Sequence, residues 1–201
     1  MAQTESTMKL ALGEPAPPFE LPAAQGGTFS TSDAAGSPLL VMFICNHCPY
    51  VKHVAPELAR IGADYAATPL TIVAVQSNDV DEYPDDAPDK MTEEVKSRGY
   101  EFPYVHDADQ SVAAAYSAAC TPDFFLFDAD HRLVYRGQLD ETRPIRISSG
   151  VYDSSESPPH GAYLRAAIDR VLAGEAPAPD QVPSLGCNIK WKPGNEPNYA
   201  V

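Results

Sequence analysis

The stretch LLVMFICNHCPYVKHVAPEL, residues 39–58, holds the clearest structural pattern in the chain. It opens with six consecutive apolar residues, Leu39 to Ile44, which is typical of a strand buried on both faces. A helical spacing of apolar residues then begins and extends beyond the stretch: Val51, Val54, Leu58, Ile61 and Tyr65. Between the two patterns lie Cys45 and Cys48. The sequence therefore predicts a strand that ends at a Cys-x-x-Cys pair, with a helix over residues 50–66 directly behind it.

The same two patterns recur on the C-terminal side of this stretch. Further strands are expected over residues 70–75, 102–106, 124–127 and 133–136. Further helices are expected over residues 88–98, 109–118 and 161–173. Strands that alternate with helices predict an α/β domain with parallel pairing. The turn DADH, residues 128–131, adds an antiparallel hairpin, so we expect a mixed sheet flanked by helices.

Turn-forming residues divide the rest of the chain. Residues 1–14 are interpreted as an N-terminal tail, and residues 15–173 as a single domain that opens with a short hairpin. Residues 174–201 are proline-rich and form a C-terminal arm. Four residues of the arm alternate with polar or small neighbours: Leu185, Cys187, Ile189 and Trp191. Because a period of two marks one face of an extended segment, residues 185–191 are predicted to lie on the domain with these side chains inward.

The composition limits the function. The chain has 201 residues, with 28 acidic and 14 basic side chains, and its net charge of −14 argues against binding to nucleic acid or to an anionic membrane. No apolar run approaches the roughly 20 residues that span a bilayer. The N-terminus lacks the basic and apolar regions of a signal peptide, so a cytoplasmic protein is expected. The acidic segment NDVDEYPDDAPD, residues 78–89, is interpreted as a solvated loop.

The cysteine pair carries the chemistry. Four cysteines in a chain of this length do not make a disulfide scaffold, and a close pair in a reducing compartment indicates redox or metal chemistry. At the start of a helix, unsatisfied N–H groups and the helix dipole stabilise a thiolate and lower the pKa of the cysteine. The spacing lets Cys45 and Cys48 form a reversible disulfide. His47, between them, can donate to the attacking thiolate or place a positive charge beside it.

Three segments resemble the thioredoxin-fold redoxin superfamily, which contains thioredoxin-like oxidoreductases and the AhpC/TSA proteins. They are LGEPAPPFEL at residues 12–21, VMFICNHCP at residues 41–49 and CTPDFFLFDADHRLVYRGQLD at residues 120–140. Two shorter motifs, FICNHCPYVKH and LGCNIKWK, resemble a bacterial group of thioredoxin-like proteins of this length. The resemblance implies a thioredoxin-like fold. It also implies that Pro122 follows a cis peptide bond opposite the cysteine pair, and that Thr121 offers its backbone to a substrate peptide.

The superfamily contains two chemistries. Peroxiredoxins carry the motif Pro-x-x-x-Thr-x-x-Cys, in which the last cysteine attacks peroxide. Here Cys48 falls at that position, but Cys45 replaces the threonine and Val41 replaces the proline. These differences favour disulfide exchange, in which Cys45, as the more exposed thiol with the lower pKa, attacks and Cys48 resolves. The alternative is hydroperoxide reduction through Cys48, for which Arg136 and Arg143 are the candidates for the family's active-site arginine.

We therefore expect a thiol–disulfide oxidoreductase without a cofactor. Its partners would be a protein or small-molecule disulfide, or a hydroperoxide, together with an external thiol reductant; the sequence does not set the oligomeric state. A third alternative is a metal-binding or chaperone-like protein that uses the same sulfurs without turnover. The side chains that could hold zinc or copper are Cys45, His47, Cys48 and His53.

Cys120 and Cys187 are candidate auxiliary thiols. Cys120 lies two residues before Pro122, so the predicted fold brings it near the cysteine pair. A buried, inert Cys120 is the alternative, since free cysteine is among the most buried residue types. If the arm docks as predicted, Cys187 approaches another thiol, and Cys120 is its expected partner in a second disulfide or a relay.

Overall fold

A computed structural model describes residues 3–199. The strands in chain order are β1 (Gln3–Glu5), β2 (Glu20–Pro22), β3 (Thr28–Ser30), β4 (Leu39–Phe43), β5 (Thr71–Gln76), β6 (Tyr104–His106), β7 (Cys120–Thr121), β8 (Asp123–Phe127), β9 (Leu133–Gly137), β10 (Ile145–Ser148), β11 (Val151–Asp153) and β12 (Leu185–Asn188). The helices are α1 (Pro49–Tyr65), α2 (Pro88–Arg98), α3 (Ser111–Tyr116) and α4 (Ala162–Leu172).

Five strands form the central sheet, in the order β6-β5-β4-β8-β9. β5 pairs in parallel with both β4 and β6. β4 and β8 are antiparallel, and so are β8 and β9. The predicted mixed sheet of a thioredoxin-like fold is confirmed.

The central strand β4 is buried on both faces. Leu40 and Met42 pack in the same apolar cluster as the inner faces of α1 and α4. Leu39, Val41 and Phe43 pack on the opposite face, in the cluster that contains residues of α3. Because helices cover both faces of the sheet, neither face of β4 contacts water. This explains why its sequence is an unbroken apolar run.

Helix α1 begins at Pro49, immediately after Cys48. Proline is favoured at the first helical position because the N–H that it lacks would have no partner there. The apolar face predicted from the helical spacing is buried: Val51, Val54, Leu58 and Ile61. As predicted, the strand and the helix therefore bring the cysteine motif to the edge of the sheet where α1 starts.

Other elements differ modestly from the prediction. α2 has the predicted bounds, and the hairpin of β2 and β3 is present. α3 is shorter than predicted because Gln110 and Ser117, at its two ends, adopt left-handed backbone with φ of 65° and 52°. The hairpin of β10 and β11 was not predicted; its strands are short and largely exposed, although Ile145 and Ile147 alternate with polar residues in β10.

A second sheet joins both ends of the chain to the turn at Pro122. Its strand order is β1-β12-β7, with antiparallel pairing throughout. The predicted docking of the arm is confirmed, since Cys187 and Ile189 are buried while Leu185 and Trp191 are partly buried. The segment predicted as a tail supplies β1. None of the helices within residues 3–199 is both long and apolar enough to cross a membrane.

Candidate functional site

The thiols of the Cys-x-x-Cys motif are buried where β4 meets α1. Cys45 lies beyond the end of β4, and Cys48 is the residue that precedes the first turn of α1. The exposed fraction is 1% for Cys45 and 0% for Cys48, and both are free thiols. Cys45 was predicted to be the more exposed thiol, but neighbouring segments cover both sulfurs and the two cysteines differ by only 1% in exposure.

Thr121 contacts both sulfurs. Its Oγ1 lies 3.2 Å from Cys45 Sγ. Cys48, as a thiol, donates to the carbonyl oxygen of Thr121 at 3.3 Å. The Thr121–Pro122 peptide bond is cis, as the family resemblance implied. Thr121 thus contacts Cys45 with its side chain and Cys48 with its carbonyl oxygen. Both thiols are thereby held against the turn at Thr121 and Pro122, called here the proline turn.

The C-terminal arm brings a third thiol to this cluster. Cys187 is the cross-strand partner of Thr121 in the pairing of β12 with β7, and it packs in the same buried cluster as Cys45 and Cys48. The preceding residue must be glycine, because a Cβ on Gly186 would lie 2.0 Å from the carbonyl oxygen of Thr121. The family resemblance implies that the backbone of Thr121 binds a substrate peptide. In this structure the same backbone is paired with β12 of the C-terminal arm.

Of the two motif thiols, Cys48 is the one that ionises more readily. Burial opposes its ionisation, but hydrogen bonds from the thiols of Cys187 and Cys45 and from the N–H of Val51 lower the pKa of Cys48 well below its ordinary value. Burial raises the pKa of Cys45, and the adjacent Cys48 and Asp86 raise it further. The prediction that Cys45 has the lower pKa is wrong, because the helix start and the arm direct their donors at Cys48.

His47 faces a carboxylate instead of a sulfur. Its Nδ1 lies 2.6 Å from Asp86 Oδ2, and its ring stacks on Tyr83 with 5.1 Å between the ring centroids. Its Nε2 is buried and has no hydrogen-bond partner among residues 3–199. The predicted hydrogen bond from His47 to a thiolate is therefore not formed. The ring lies near Cys45, whose sulfur, a ring nitrogen of His47 and an oxygen of Asp86 are within 4.8 Å of one another.

Asp86 is a site residue that the sequence analysis missed. It is fully buried and accepts hydrogen bonds from the N–H of Asn46 at 2.7 Å, from the N–H of His47 at 3.1 Å and from the Asn78 side chain at 2.8 Å. Burial opposes its charge, but the bonds from His47, Asn78 and Asn46 lower the pKa of Asp86 below its ordinary value. The interpretation of this acidic segment as solvated is wrong at Asp86.

The parallel pairing of β4 with β5 explains how Asp86 reaches the site. Parallel neighbours end at the same edge of a sheet, so the segment after β5 lies beside the cysteine motif after β4. The sequence held this signal, because both strands were predicted. A polar residue after the second strand was therefore a candidate for contact with the motif.

His53 does not join the cysteine cluster. Its Nδ1 lies 2.8 Å from the Ser154 hydroxyl, and its Nε2 lies 2.9 Å from the Thr142 hydroxyl. Because both ring nitrogens are engaged there, the metal-binding set of two cysteines and two histidines is not assembled. The ligand-type groups that do come together are Cys45, His47 and Asp86.

Cys120 faces away from Cys187. The register of β7 and β12 places Cys120 opposite Asn188 and places Cys187 opposite Thr121. Successive side chains of a strand point to opposite faces, so the two thiols lie on different faces of this sheet. Cys120 is fully buried, and its sulfur lies 3.6 Å from the carbonyl oxygen of Pro122. The predicted pairing of Cys120 with Cys187 is wrong, and Cys187 packs instead in the buried cluster that contains Cys48.

Residues 12–136, more than half of the chain, match the AhpC/TSA family. The chain belongs to the AhpC/TSA family. This membership agrees with the thioredoxin-like sheet and the buried thiol cluster, and it supports a thiol-based oxidoreductase at the general level. Comparison with curated protein sequences gives no match.

Two solved structures resemble this AhpC/TSA protein over nearly its whole length. An uncharacterized conserved protein from Geobacillus kaustophilus is 45% identical with a TM-score of 0.88, and the alignment covers 96% of this chain and 98% of that one. A hypothetical protein from Sinorhizobium meliloti is 46% identical with a TM-score of 0.86, over 95% of this chain and 100% of that one. The likeness therefore extends well beyond the residues that match the family.

A more distant structure shows the fold alone. The thioredoxin domain of a thiol-disulfide oxidoreductase from Bacteroides vulgatus is 20% identical with a TM-score of 0.55. That alignment covers 74% of this chain and 97% of the domain. The core of this AhpC/TSA protein thus has the thioredoxin fold, with additional segments around it.

Both candidate arginines of this AhpC/TSA protein are engaged away from the sulfurs. The buried guanidinium of Arg136 donates to the Thr7 hydroxyl at 3.1 Å and to the carbonyl oxygen of Ser117 at 2.9 Å. Arg143 donates to the carbonyl oxygen of Asp140 at 2.8 Å. Among the described residues, neither guanidinium donates to a sulfur.

Proposed function

We propose that this chain is a thiol–disulfide oxidoreductase that exchanges disulfides through Cys45 and Cys48. The observation that carries the proposal is that Thr121 holds both thiols: its Oγ1 lies 3.2 Å from Cys45 Sγ, and its carbonyl oxygen accepts from Cys48 at 3.3 Å. Two thiols held on one residue close a disulfide with little movement of the chain. The attacking role is assigned to Cys48, since the thiolate is the nucleophile and the pKa of Cys48 is the lower one.

The exchange proceeds in two steps. The Cys48 thiolate attacks one sulfur of a protein or small-molecule disulfide, and the other sulfur leaves as a thiolate that takes a proton from water. Cys45 then attacks Cys48 Sγ, which forms the Cys45–Cys48 disulfide and releases the second substrate sulfur. An external thiol reductant restores the reduced pair by the reverse exchange.

His47 is the proposed acceptor of the proton that Cys45 loses in the second step. Its Nδ1 is anchored by Asp86 at 2.6 Å, which leaves Nε2 as the free acceptor. Nε2 has no other partner in the part of the chain that the structure describes. A buried carboxylate at Nδ1 fixes the orientation and the tautomer of the ring.

Hydroperoxide reduction is a second candidate function because Cys48 stands at the peroxidatic position and has a lowered pKa. In that reaction the Cys48 thiolate cleaves the O–O bond, becomes a sulfenic acid and releases an alcohol or water. Cys45 then condenses with the sulfenic acid to form the disulfide and water. The engagement of both candidate arginines elsewhere ranks this function below disulfide exchange.

Parallel assays of insulin-disulfide reduction and hydroperoxide consumption, with one thiol reductant, test the proposal. The wild type is expected to reduce insulin, Cys48→Ser to lose this activity, Cys45→Ser to be slower than the wild type, and Cys120→Ser to retain the wild-type rate as the control. Consumption of hydroperoxide that depends on Cys48, without insulin reduction, would establish the second function instead. Stoichiometric zinc or copper in a purified protein that has neither activity would indicate a metal-binding role.

A further inference from the structure

Cys187 has no part in the two-thiol exchange described above, yet it packs in the same buried cluster as Cys48. The pairing of β12 with β7 sets Cys187 opposite Thr121, the residue whose carbonyl oxygen accepts from Cys48 at 3.3 Å. Cys187 is 3% exposed, so it is sequestered from solvent together with the motif. Cys48 thus stands between two thiols, one from its own motif and one from the arm.

We propose that Cys187 is a third redox-active thiol that replaces Cys45 as the disulfide partner of Cys48. In the Cys45–Cys48 disulfide, the sulfur of Cys187 attacks Cys48 Sγ and forms a Cys48–Cys187 bond. The Cys45–Cys48 bond breaks, and Cys45 leaves as a thiolate that takes up the proton lost by Cys187. One disulfide is exchanged for another, so no further oxidant is needed. The inference rests on the proposed function, which supplies the first disulfide.

The charges of the cluster favour this step once Cys48 is oxidised. In the reduced protein the pKa of Cys187 is raised, first by its hydrogen bond to Cys48, then by burial and by the charge of Cys48. The first and third causes vanish when Cys48 is held in a disulfide, while the nearby Lys190 still lowers the pKa of Cys187. Oxidation of the motif therefore removes two of the three causes that raise the pKa of Cys187 and leaves burial.

The consequence is that the arm is either fastened covalently or held by non-covalent contacts alone. β12 covers the backbone of Thr121, and Gly186 is in close contact with the same residue. A Cys48–Cys187 disulfide locks the arm over the proline turn, whereas a Cys45–Cys48 disulfide leaves the strand pairing of β12 and hydrogen bonds such as that from the N–H of Lys190 to the Asn78 side chain. The oxidation state of Cys48 would thereby control access to the turn.

Disulfide mapping by non-reducing peptide mass spectrometry tests the inference on the full chain, oxidised with glutathione disulfide. In Cys45→Ser we expect Cys48 to be bonded to Cys187, and in the wild type we expect both Cys45–Cys48 and Cys48–Cys187 peptides. Cys120→Ser is the matched control and should give the wild-type pattern. If Cys48 of Cys45→Ser remains a glutathione mixed disulfide while Cys187 stays free, the inference is overturned.

The wild type also separates this inference from the proposed function. The appearance of Cys45–Cys48 first, followed by Cys48–Cys187 on incubation without oxidant, supports both. A stable Cys45–Cys48 disulfide that never passes to Cys187 refutes the inference and leaves the proposed function standing. A Cys48–Cys187 disulfide with Cys45 always free supports the redox role of Cys187 and refutes the exchange through Cys45. Because this measurement uses the unaltered chain, it holds even if Cys45→Ser fails to fold.

Discussion

Replacement of Gly186 by alanine should lift the C-terminal arm from the proline turn. The added Cβ would lie 2.0 Å from the carbonyl oxygen of Thr121 and 2.6 Å from its carbonyl carbon. Cβ contacts shorter than 3.0 Å essentially never occur, so β12 must retreat by about 1 Å, which is the difference between 3.0 and 2.0 Å. The obstacle is backbone on both sides, so no side-chain rotation relieves it.

The size of the effect follows from the cost of the clash. Overpacking of a tightly packed contact costs about 1–3 kcal/mol. If release of the arm relieves about 2 kcal/mol of this strain, the population with the arm open rises about thirtyfold, since each 1.4 kcal/mol is a factor of ten. Cys45 and Cys48 are buried while the arm is closed, so an alkylating reagent reaches them only when the arm is open. Their alkylation should therefore accelerate by the same factor.

The assay is the alkylation rate of the motif thiols, measured with an uncharged reagent at about pH 9, close to the ordinary pKa of cysteine. That pH limits the influence of any change in the pKa of Cys48. Ala176→Ser is the control, because it enlarges an exposed side chain of the arm outside the strand that pairs with Thr121. If Gly186→Ala has a native circular dichroism spectrum and alkylates no faster than Ala176→Ser, the arm does not gate the site.

Three other measurements test the site and its surroundings. The ultraviolet absorbance of a thiolate should persist in the reduced protein at pH values below those at which ordinary thiols ionise, because the pKa of Cys48 is lowered. This absorbance should vanish in Cys48→Ser but not in Cys45→Ser. His47→Phe should slow the attack of Cys45 on a Cys48 mixed disulfide about a hundredfold, as loss of a general base does, and spare the first attack; equal slowing of both steps in stopped-flow traces argues against this role. Burial raises the pKa of Asp123 to about 6, against the opposing effect of Arg136. The pKa of an ordinary aspartate is about 3.9, so the native state binds this proton more tightly than the unfolded state does. About 3 kcal/mol of stability is therefore present below about pH 4 and is lost as the pH rises to about 6. Asp123→Asn should remove that slope from urea unfolding, and an unchanged slope would contradict the burial of a charge there.

Local patterns explain what the sequence could predict. The strand, the cysteine motif and the helix are contiguous, so their periodicities alone locate the motif at the start of α1. The alternation of Leu185, Cys187, Ile189 and Trp191 likewise predicts a docked arm, because it specifies one buried face of an extended segment. Each of these inferences depends on residues that are neighbours in the chain.

The features that escaped prediction depend on pairing between distant segments. Asp86 reaches the motif only through the parallel pairing of β4 with β5. Cys187 meets Cys48 instead of Cys120 because of the register of β12 on β7, and a shift by one residue would turn it to the other face. The lowered pKa of Cys48 depends in turn on donors from that arm, so the roles of the motif cysteines could not be deduced from the motif.

The position of the arm and the acidity of Cys48 are therefore coupled. Burial alone would suppress a thiolate at Cys48, and the thiol and the backbone of Cys187 supply two of the four hydrogen bonds that overcome this suppression. An arm that leaves takes these donors with it and admits water in their place. By reciprocity, a thiolate at Cys48 holds the arm closed, and its conversion to a disulfide removes the charge to which Cys187 donates. When Cys48 attacks a substrate, the interaction that holds the arm at Cys48 is therefore weakened. Because the arm covers the Thr121 backbone, where a substrate would bind, the reaction at Cys48 is linked to the opening of the site.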